Sequence, residues 1–150
     1  MIQRVSIIVP FYQEQESVIP LVTDMHEALS CLDHEWELIC IDDGSMDMTL
    51  SRLMEAKYQF GSHVRVLQLQ RNYGQTAAMQ AGIDAARGDI IVTLDGDLQN
   101  DPNDIPAMIA ELFERDLDLL QGWREDRKDG YWFRRFPSLV ANRLIARVTG

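Results

Sequence analysis

The sequence predicts an α/β fold built on a doubly wound, mostly parallel sheet. Three observations predict it. Short apolar runs alternate strictly with segments of helical periodicity, from Val5 to Gln121. The connections between them are short, as in parallel neighbours joined by right-handed crossovers. The run from Ile90 to Leu94 is apolar except for Thr93 and then stops at Asp95-Gly96-Asp97. That is the pattern of a strand buried on both faces with a polar group at its carboxyl end, where ligands bind in open α/β sheets.

The elements follow in order. Val5 to Val9 is the first strand, closed by Pro10. After a polar loop, Ser17 is placed to cap a helix that has Pro20 in its first turn. Val18, Leu21, Val22, Met25, Ala28 and Leu29 recur there at helical spacing. Trp36 to Ile41 is the second strand and runs into Asp42-Asp43-Gly44-Ser45. Met46 to Phe60 reads as a second helix, with Leu50, Leu53, Met54 and Ala56 on one side. Val64 to Leu69 alternates enough to lie near a sheet edge. The loop Arg71-Asn72-Tyr73-Gly74 leads into an alanine-rich helix from Gln75 to Arg87, ended by Gly88. A fourth helix spans Pro102 to Glu114 with Asp101 as its cap, and Leu117 to Gln121 is a fifth strand. Residues 1–122 therefore form the α/β core. Residues 123–150 differ: Trp132, Phe133, Phe136, Leu139, Val140, Leu144, Ile145 and Val148 follow a helix-like period with arginines between them.

Composition narrows the class. A hydrophobic fraction of 46% with 25% charged residues is ordinary for a globular protein, and 150 residues make one domain or part of one. No apolar run is long enough to span a bilayer, and no signal-peptide pattern opens the chain. Cys31 and Cys40 lack metal spacing and read as buried free thiols in a reducing compartment. His26, His34 and His63 read as surface or structural. The net charge of −10 is unevenly spread. Residues 1–122 carry −14, with 21 acidic and 7 basic side chains, and residues 123–150 carry +4, with 7 basic and 3 acidic. The acidic body argues against nucleic-acid binding, and the basic end suits a local anionic target.

Asp95 and Asp97, one residue apart at a strand end, repel each other and lose hydration; a divalent cation relieves both costs. Oxygen-only ligands favour magnesium or manganese over zinc. Gln99 adds a neutral carbonyl oxygen, and Gly96 lets backbone approach a ligand closely. A lone D-x-D is a weak signal, because acidic loop residues are more often solvated than ligating. A calcium-binding helix-loop-helix fails the count from Asp95, which puts Asn100 at its required glycine and Pro106 at its bidentate glutamate. A phosphatase D-x-D would follow the first strand, not the fourth. There is no G-x-x-x-x-G-K-[ST], and no G-x-G-x-x-G follows the first strand. A nucleotide here must be gripped by strand ends: Pro10 to Glu14, Asp42 to Ser45, and Asp95 to Asp97. Tyr12 is placed to stack on a base, and Asp42 or Asp43 to accept from a base imide or ribose hydroxyl. Alone, the Asp42 segment is an ordinary turn and Tyr12 a packing residue; the signal is their joint order.

Taken together, VSIIVPFYQEQESV, IDDGSMDMT, RNYGQTAAMQAGIDAARGD and TLDGDLQNDP resemble the successive motifs of family 2 glycosyltransferases. The D-G-D-L-Q-N-D-P form, with Gly122-Trp123-Arg124 and Arg134-Arg135, is similar to the branch of dolichol-phosphate mannosyltransferase and bacterial polyprenyl-phosphate glycosyltransferases. The resemblance covers essentially the whole chain. It implies the GT-A fold, with a Rossmann-like nucleotide-binding half. It implies transfer of a sugar from a UDP- or GDP-linked nucleoside diphosphate to a polyprenyl phosphate, inverting by single displacement. Asp95, Asp97 and Gln99 are then the metal and diphosphate site for Mg2+ or Mn2+, with Asp97 catalytic. Pro10, Tyr12, Glu14, Asp42 and Asp43 surround the nucleoside, and Arg124 with Arg134 or Arg135 meets the acceptor phosphate. A phosphate monoester has a second pKa of about 6, so this acceptor needs orientation rather than a general base. The implied location is cytoplasmic, peripheral at the inner face of the membrane, through residues 123–150; the plainer reading of that segment is a packing helix. Family members continue beyond the stretch present here. The chain is therefore expected to be cut from a longer protein and not to turn over by itself, with the segment after Gly122 mobile or pairing with another copy. The alternative function is a noncatalytic nucleotide-sugar-binding fragment that needs a partner or its missing half. A metal-dependent phosphatase is the third reading.

Overall fold

The computed structural model describes residues 4–122. Strands β1 (Val5–Phe11), β2 (Trp36–Asp42), β3 (Val64–Gln68) and β4 (Ile90–Thr93) alternate with helices α1 (Val18–Leu29), α2 (Thr49–Phe60), α3 (Gln75–Ala85) and α4 (Asp104–Glu114). The first of the chain's two units ends at Asp118 and holds all eight elements. Every pairing is parallel, in the order β3-β2-β1-β4. The order reverses after β3, since β2 and β3 build outward on one side of β1 and β4 lies on the other. A right-handed crossover in the reverse direction must use the opposite face of the sheet. Ala78 of α3 accordingly packs with Ile8, Ile39 and Ile41. Helices α1, α2 and α4 bury Leu21, Leu53 and Ile109 with Val5, Ile7, Val9 and Leu38 on the other face. The sheet is doubly wound, as expected, and its switch point lies between the carboxyl ends of β1 and β4.

Burial follows from this order. β1 is central and covered on both faces, so all seven of its residues are buried. β3 is an edge strand, as its alternation indicates. β4 corrects the expectation of a strand buried on both faces. It is the opposite edge, with Ile91 40% exposed, while Ile90 and Val92 pack against the α1 core. Its apolar run is covered on one face only because α3 lies over β1 and β2.

The fifth strand is also corrected, because residues 117–122 are in neither strand nor helix. Asp116 takes a left-handed φ of 50°, and the Leu117 N–H donates back to the Leu112 carbonyl at 2.9 Å. The chain thus curls around the end of α4, and Leu119 is 81% exposed. Helix starts move for local reasons. The Asp47 carboxylate takes both the N–H and hydroxyl of Thr49 (3.0 and 2.6 Å), so α2 begins there rather than at Met46. Asp101 accepts from the Asn103 N–H at 2.9 Å, which makes a turn before α4 instead of capping it. Ser17 stands at the capping position of α1, but its side chain bonds no helix N–H. Met54 is exposed, and only Cys40 is a buried thiol; Cys31 is exposed past the end of α1. Burial pushes the Cys40 thiol up to about 12.

Two polar groupings, one on a buried carboxylate and one half-buried, tie the sheet at its amino end. In one, Glu37 on β2 accepts from the Ser6 hydroxyl, Arg65 and the Arg87 N–H. In the other, His26 Nδ1 and His63 Nε2 are 3.2 Å apart, with the Trp36 ring 4.3 Å from His63 and Phe60 5.1 Å from His26. Burial first, and then the neighbouring His26, hold His63 below its ordinary value of 6.5. A folded value below the unfolded one means stability present above the unfolded pKa and lost as pH falls. We predict that urea unfolding loses stability as pH falls below about 6.5, and that His63→Phe flattens this slope. An equal slope in the variant contradicts the assignment.

Candidate functional site

The loops after β1, β2, β3 and β4 meet over the switch point. They form a cleft of about 320 Å³ lined by Pro10, Phe11, Tyr12, Glu14, Asp43, Asn72, Gly74, Gln75, Asp95, Gly96 and Asp97. Two glycines set its geometry. A Cβ on Gly96 would sit 2.7 Å from the Phe11 ring and 2.9 Å from the Pro10 carbonyl, so the loop after β4 lies directly on the end of β1. A Cβ on Gly44, at φ 68°, would lie 2.3 Å from the Arg71 carbonyl carbon. Only glycine lets the turn after β2 support the loop after β3 this closely. Gln13 (φ 51°) and Leu98 (φ 60°), beside the cleft, also take left-handed backbone. Such strain costs about 1–2 kcal/mol per residue and persists where surrounding contacts over-determine the loop. For Gln13 one such contact is its N–H donating to the Ser45 hydroxyl at 3.0 Å.

The lining is acidic. Among the described residues it contains Glu14, Asp43, Asp95 and Asp97 and no lysine or arginine. Burial, then the Asp97 and Asp95 charges, raise the Glu14 carboxyl above the usual carboxylate range. Asp43 is engaged by backbone, accepting from the Tyr73 N–H at 2.8 Å through Oδ1 and the Gly74 N–H at 2.9 Å through Oδ2. Asp95 Oδ1 accepts from Gln75 Nε2. Asp97 Oδ1 accepts from the Gln99 N–H at 3.1 Å. Among the described residues, no three histidine, cysteine or acidic side chains converge tightly enough to hold an ion unaided.

The sequence model described as glycosyl transferase family 2 matches residues 6–149. The chain belongs to glycosyl transferase family 2. It is 55% identical over 147 residues to a dodecaprenyl-phosphate galacturonate synthase of Rhizobium johnstonii, covering 98% of this chain and 44% of that protein. The chain thus spans less than half the length of this relative. Among solved structures it resembles the mannosyltransferase PcManGT from Pyrobaculum calidifontis, in complex with GDP-Man and Mn2+. That match has a TM-score of 0.64 and 21% identity, over 75% of this chain and 33% of that one. It also resembles S. aureus TarS 1-349 in complex with UDP, with a TM-score of 0.61 and 22% identity, over 88% of this chain and 40% of that one. These likenesses show the GT-A fold.

Within this family 2 fold, the structure brings Pro10, Tyr12, Glu14, Asp43, Asp95 and Asp97 to one cleft. It leaves two of the expected residues outside the lining. Asp42 is wholly buried; its Oδ1 receives a long 3.3 Å bond from the Ser45 N–H, and its Oδ2 has no partner among the described residues. Gln99 is exposed. Gly96 lines the cleft and also lies against the end of β1. Asn72 and Gly74, read from the sequence as a plain loop, and Gln75, read as the start of a helix, form one wall. The signal for them was available, because Arg71-Asn72-Tyr73-Gly74 follows a strand just as the other three polar clusters do. Arg124, Arg134 and Arg135, and the aromatic run from Trp132, lie outside the described residues. Among the described residues no helix is long and apolar enough to cross a membrane.

Proposed function

We propose that this chain is the nucleotide-sugar-binding part of a metal-dependent, inverting glycosyltransferase that serves a polyprenyl-phosphate acceptor. One observation carries the proposal: among the described residues, the cleft at the switch point is lined by four carboxylates and no basic side chain. A diphosphate is repelled there unless a divalent cation accompanies it. The donor set fits such an ion, being all oxygen and offering less than a complete cage, which leaves positions for phosphate oxygens. Asp95 and Asp97 are assigned as its ligands. Gln75 orients the first, and the Gln99 N–H orients the second. When bound, Mg2+ or Mn2+ acts as a Lewis acid on the departing nucleoside diphosphate. Tyr12, 42% exposed at the cleft, is placed to cover the base, with Pro10 and Glu14 beside it. The donor is UDP- or GDP-linked, a reading supported by the nucleotides in the two related structures. The acceptor class is supported by the name of the Rhizobium relative.

Arg124 and Arg135 are assigned to the acceptor phosphate from the sequence, with residues 123–150 resting at the inner face of the membrane. Each basic residue near an anionic surface contributes about 1 kcal/mol, so binding to anionic vesicles should appear at low salt and fade as salt rises. Indifference to anionic vesicles at low salt removes the membrane part of the proposal. The donor part is tested by thermal shift with UDP, GDP and their sugars, with and without Mn2+. At a hundred times its dissociation constant a ligand stabilises by about 2.7 kcal/mol. One nucleotide class should raise the melting temperature, and only with the ion. Shifts that ignore the ion refute the reading.

A further inference from the structure

We propose that the hydroxyls of Ser45 and Thr49 are positioning groups that hold the loop after β1, and with it Tyr12 and Glu14, at the cleft; this rests on the reading of the cleft as a nucleotide site. Three successive residues of that loop are bonded to the segment after β2. The Gln13 N–H donates to Ser45 Oγ at 3.0 Å, the Glu14 N–H donates to Thr49 Oγ1 at 2.9 Å, and Gln15 Oε1 accepts the Met48 N–H at 3.0 Å. The first bond matters most for Tyr12. It fixes the peptide plane that joins Tyr12 to Gln13, where Gln13 takes its left-handed φ of 51°. Gln13 in turn donates through Nε2 to the Tyr12 hydroxyl at 2.9 Å, so the tyrosine is held at its backbone and at the far end of its ring. The two hydroxyl side chains are themselves anchored. The Ser45 N–H donates to the buried Asp42 at 3.3 Å, and Thr49 Oγ1 donates to Asp47 at 2.6 Å. Tyr12 and Glu14 line the cleft, while Ser45 and Thr49 stand behind them and line no part of it. Thr49 is wholly buried, so its effect on a bound nucleotide is transmitted through its neighbours.

The test pairs amide hydrogen exchange with nucleotide affinity in the 150-residue chain, using UDP and GDP with Mn2+ as probes. In the nucleotide-free wild type, the Gln13 and Glu14 amides should exchange at least about tenfold slower than free peptide. Ser45→Ala should speed Gln13 about tenfold, Thr49→Val should do the same for Glu14, and each should lower nucleotide affinity about fivefold. Ser45→Thr and Thr49→Ser keep a hydroxyl and should stay within about twofold of wild-type affinity. In a Tyr12→Ala background, Ser45→Ala should cost less than about twofold, because the side chain it positions is gone. An undiminished cost there makes Ser45 a direct ligand and overturns the proposal. Wild-type affinity in Ser45→Ala overturns it too, as do unprotected Gln13 and Glu14 amides in the wild type. Should the buried Thr49→Val fail to fold, Ser45→Ala, at a half-buried position, decides alone. If the wild type binds neither nucleotide, the function proposed above fails, and the exchange arm alone decides whether the hydroxyls hold the loop.

Discussion

Asp97→Ala should lower metal-dependent nucleotide affinity by about a hundredfold or more, while leaving the melting temperature almost unchanged. The two halves of this expectation have separate causes. Asp97 is exposed, and the Gln99 N–H is a solvent-side partner. Substitutions of this kind stay within about 0.5 kcal/mol of wild-type stability. Its removal even relieves repulsion, since Asp97 is the first charge, after burial, that raises Glu14. Binding is another matter. Loss of a residue that only supports a metal ligand costs 10–100-fold in affinity, and loss of a ligand itself costs at least that. Equilibrium titration with Mn2+ present, beside a urea melt, reads both. Wild-type affinity in the variant, with an unchanged response to chelator, removes Asp97 from the site.

Arg65→Ala should destabilise the fold by about 3–5 kcal/mol, the range for stranding a buried charge without its partner. The Glu37 side chain is only 7% exposed, and Arg65 Nη1 reaches its Oε2 at 2.7 Å and the Ala85 carbonyl at 2.8 Å. The same carboxylate receives the Ser6 hydroxyl at 2.7 Å and the Arg87 N–H at 2.8 Å, and Ser6 in turn accepts from the Gly88 N–H at 2.8 Å. One network thus joins β1, β2 and β3 to the turn before β4. Burial by itself pushes Glu37 up, but the bonds from Ser6, Arg65 and Arg87 outweigh it and hold the carboxyl below the usual range. A lowered folded pKa is stability present above the unfolded value and lost as pH falls through the folded one. The wild type should therefore lose this contribution only in acid, and Arg65→Ala should lose much of it already at neutral pH. Urea unfolding at both pH values measures this through the midpoint. A loss under about 1 kcal/mol at pH 7 would mean that water reaches Glu37 and screens it.

The sequence carried the fold well where periodicity decides it. Val5, Ile7 and Val9 against Ile8, and Val18 through Leu29, show the strand and helix periods that the structure keeps. It carried less where a neighbour decides. Ile91 is as apolar as Ile90, yet it is 40% exposed, because among the described residues α3 lies over β1 and β2 and not over it. Leu117 to Gln121 has strand composition, but Asp116 and the Leu117 bond to Leu112 turn that stretch back on α4. The site shows the same division. The carboxylates announced themselves through D-G-D at a strand end. Which of Asp42 and Asp43 faces the cleft was not legible, because successive residues at a strand end point to opposite sides. Asn72, in a short polar loop, and Gln75, at a helix start, carried no sign of the site beyond the strand before them, because only Gly44 and Asp43 bring that stretch to the carboxylates.

A cleft lined, among the described residues, by four carboxylates should bind a nucleoside diphosphate only together with a divalent ion. Isothermal titration of the 150-residue chain with UDP and GDP, in Mn2+ and again in excess chelator, tests it most directly. One nucleotide should bind saturably and one-to-one with the ion, and neither should bind with chelator. Equal heats under both conditions would contradict it.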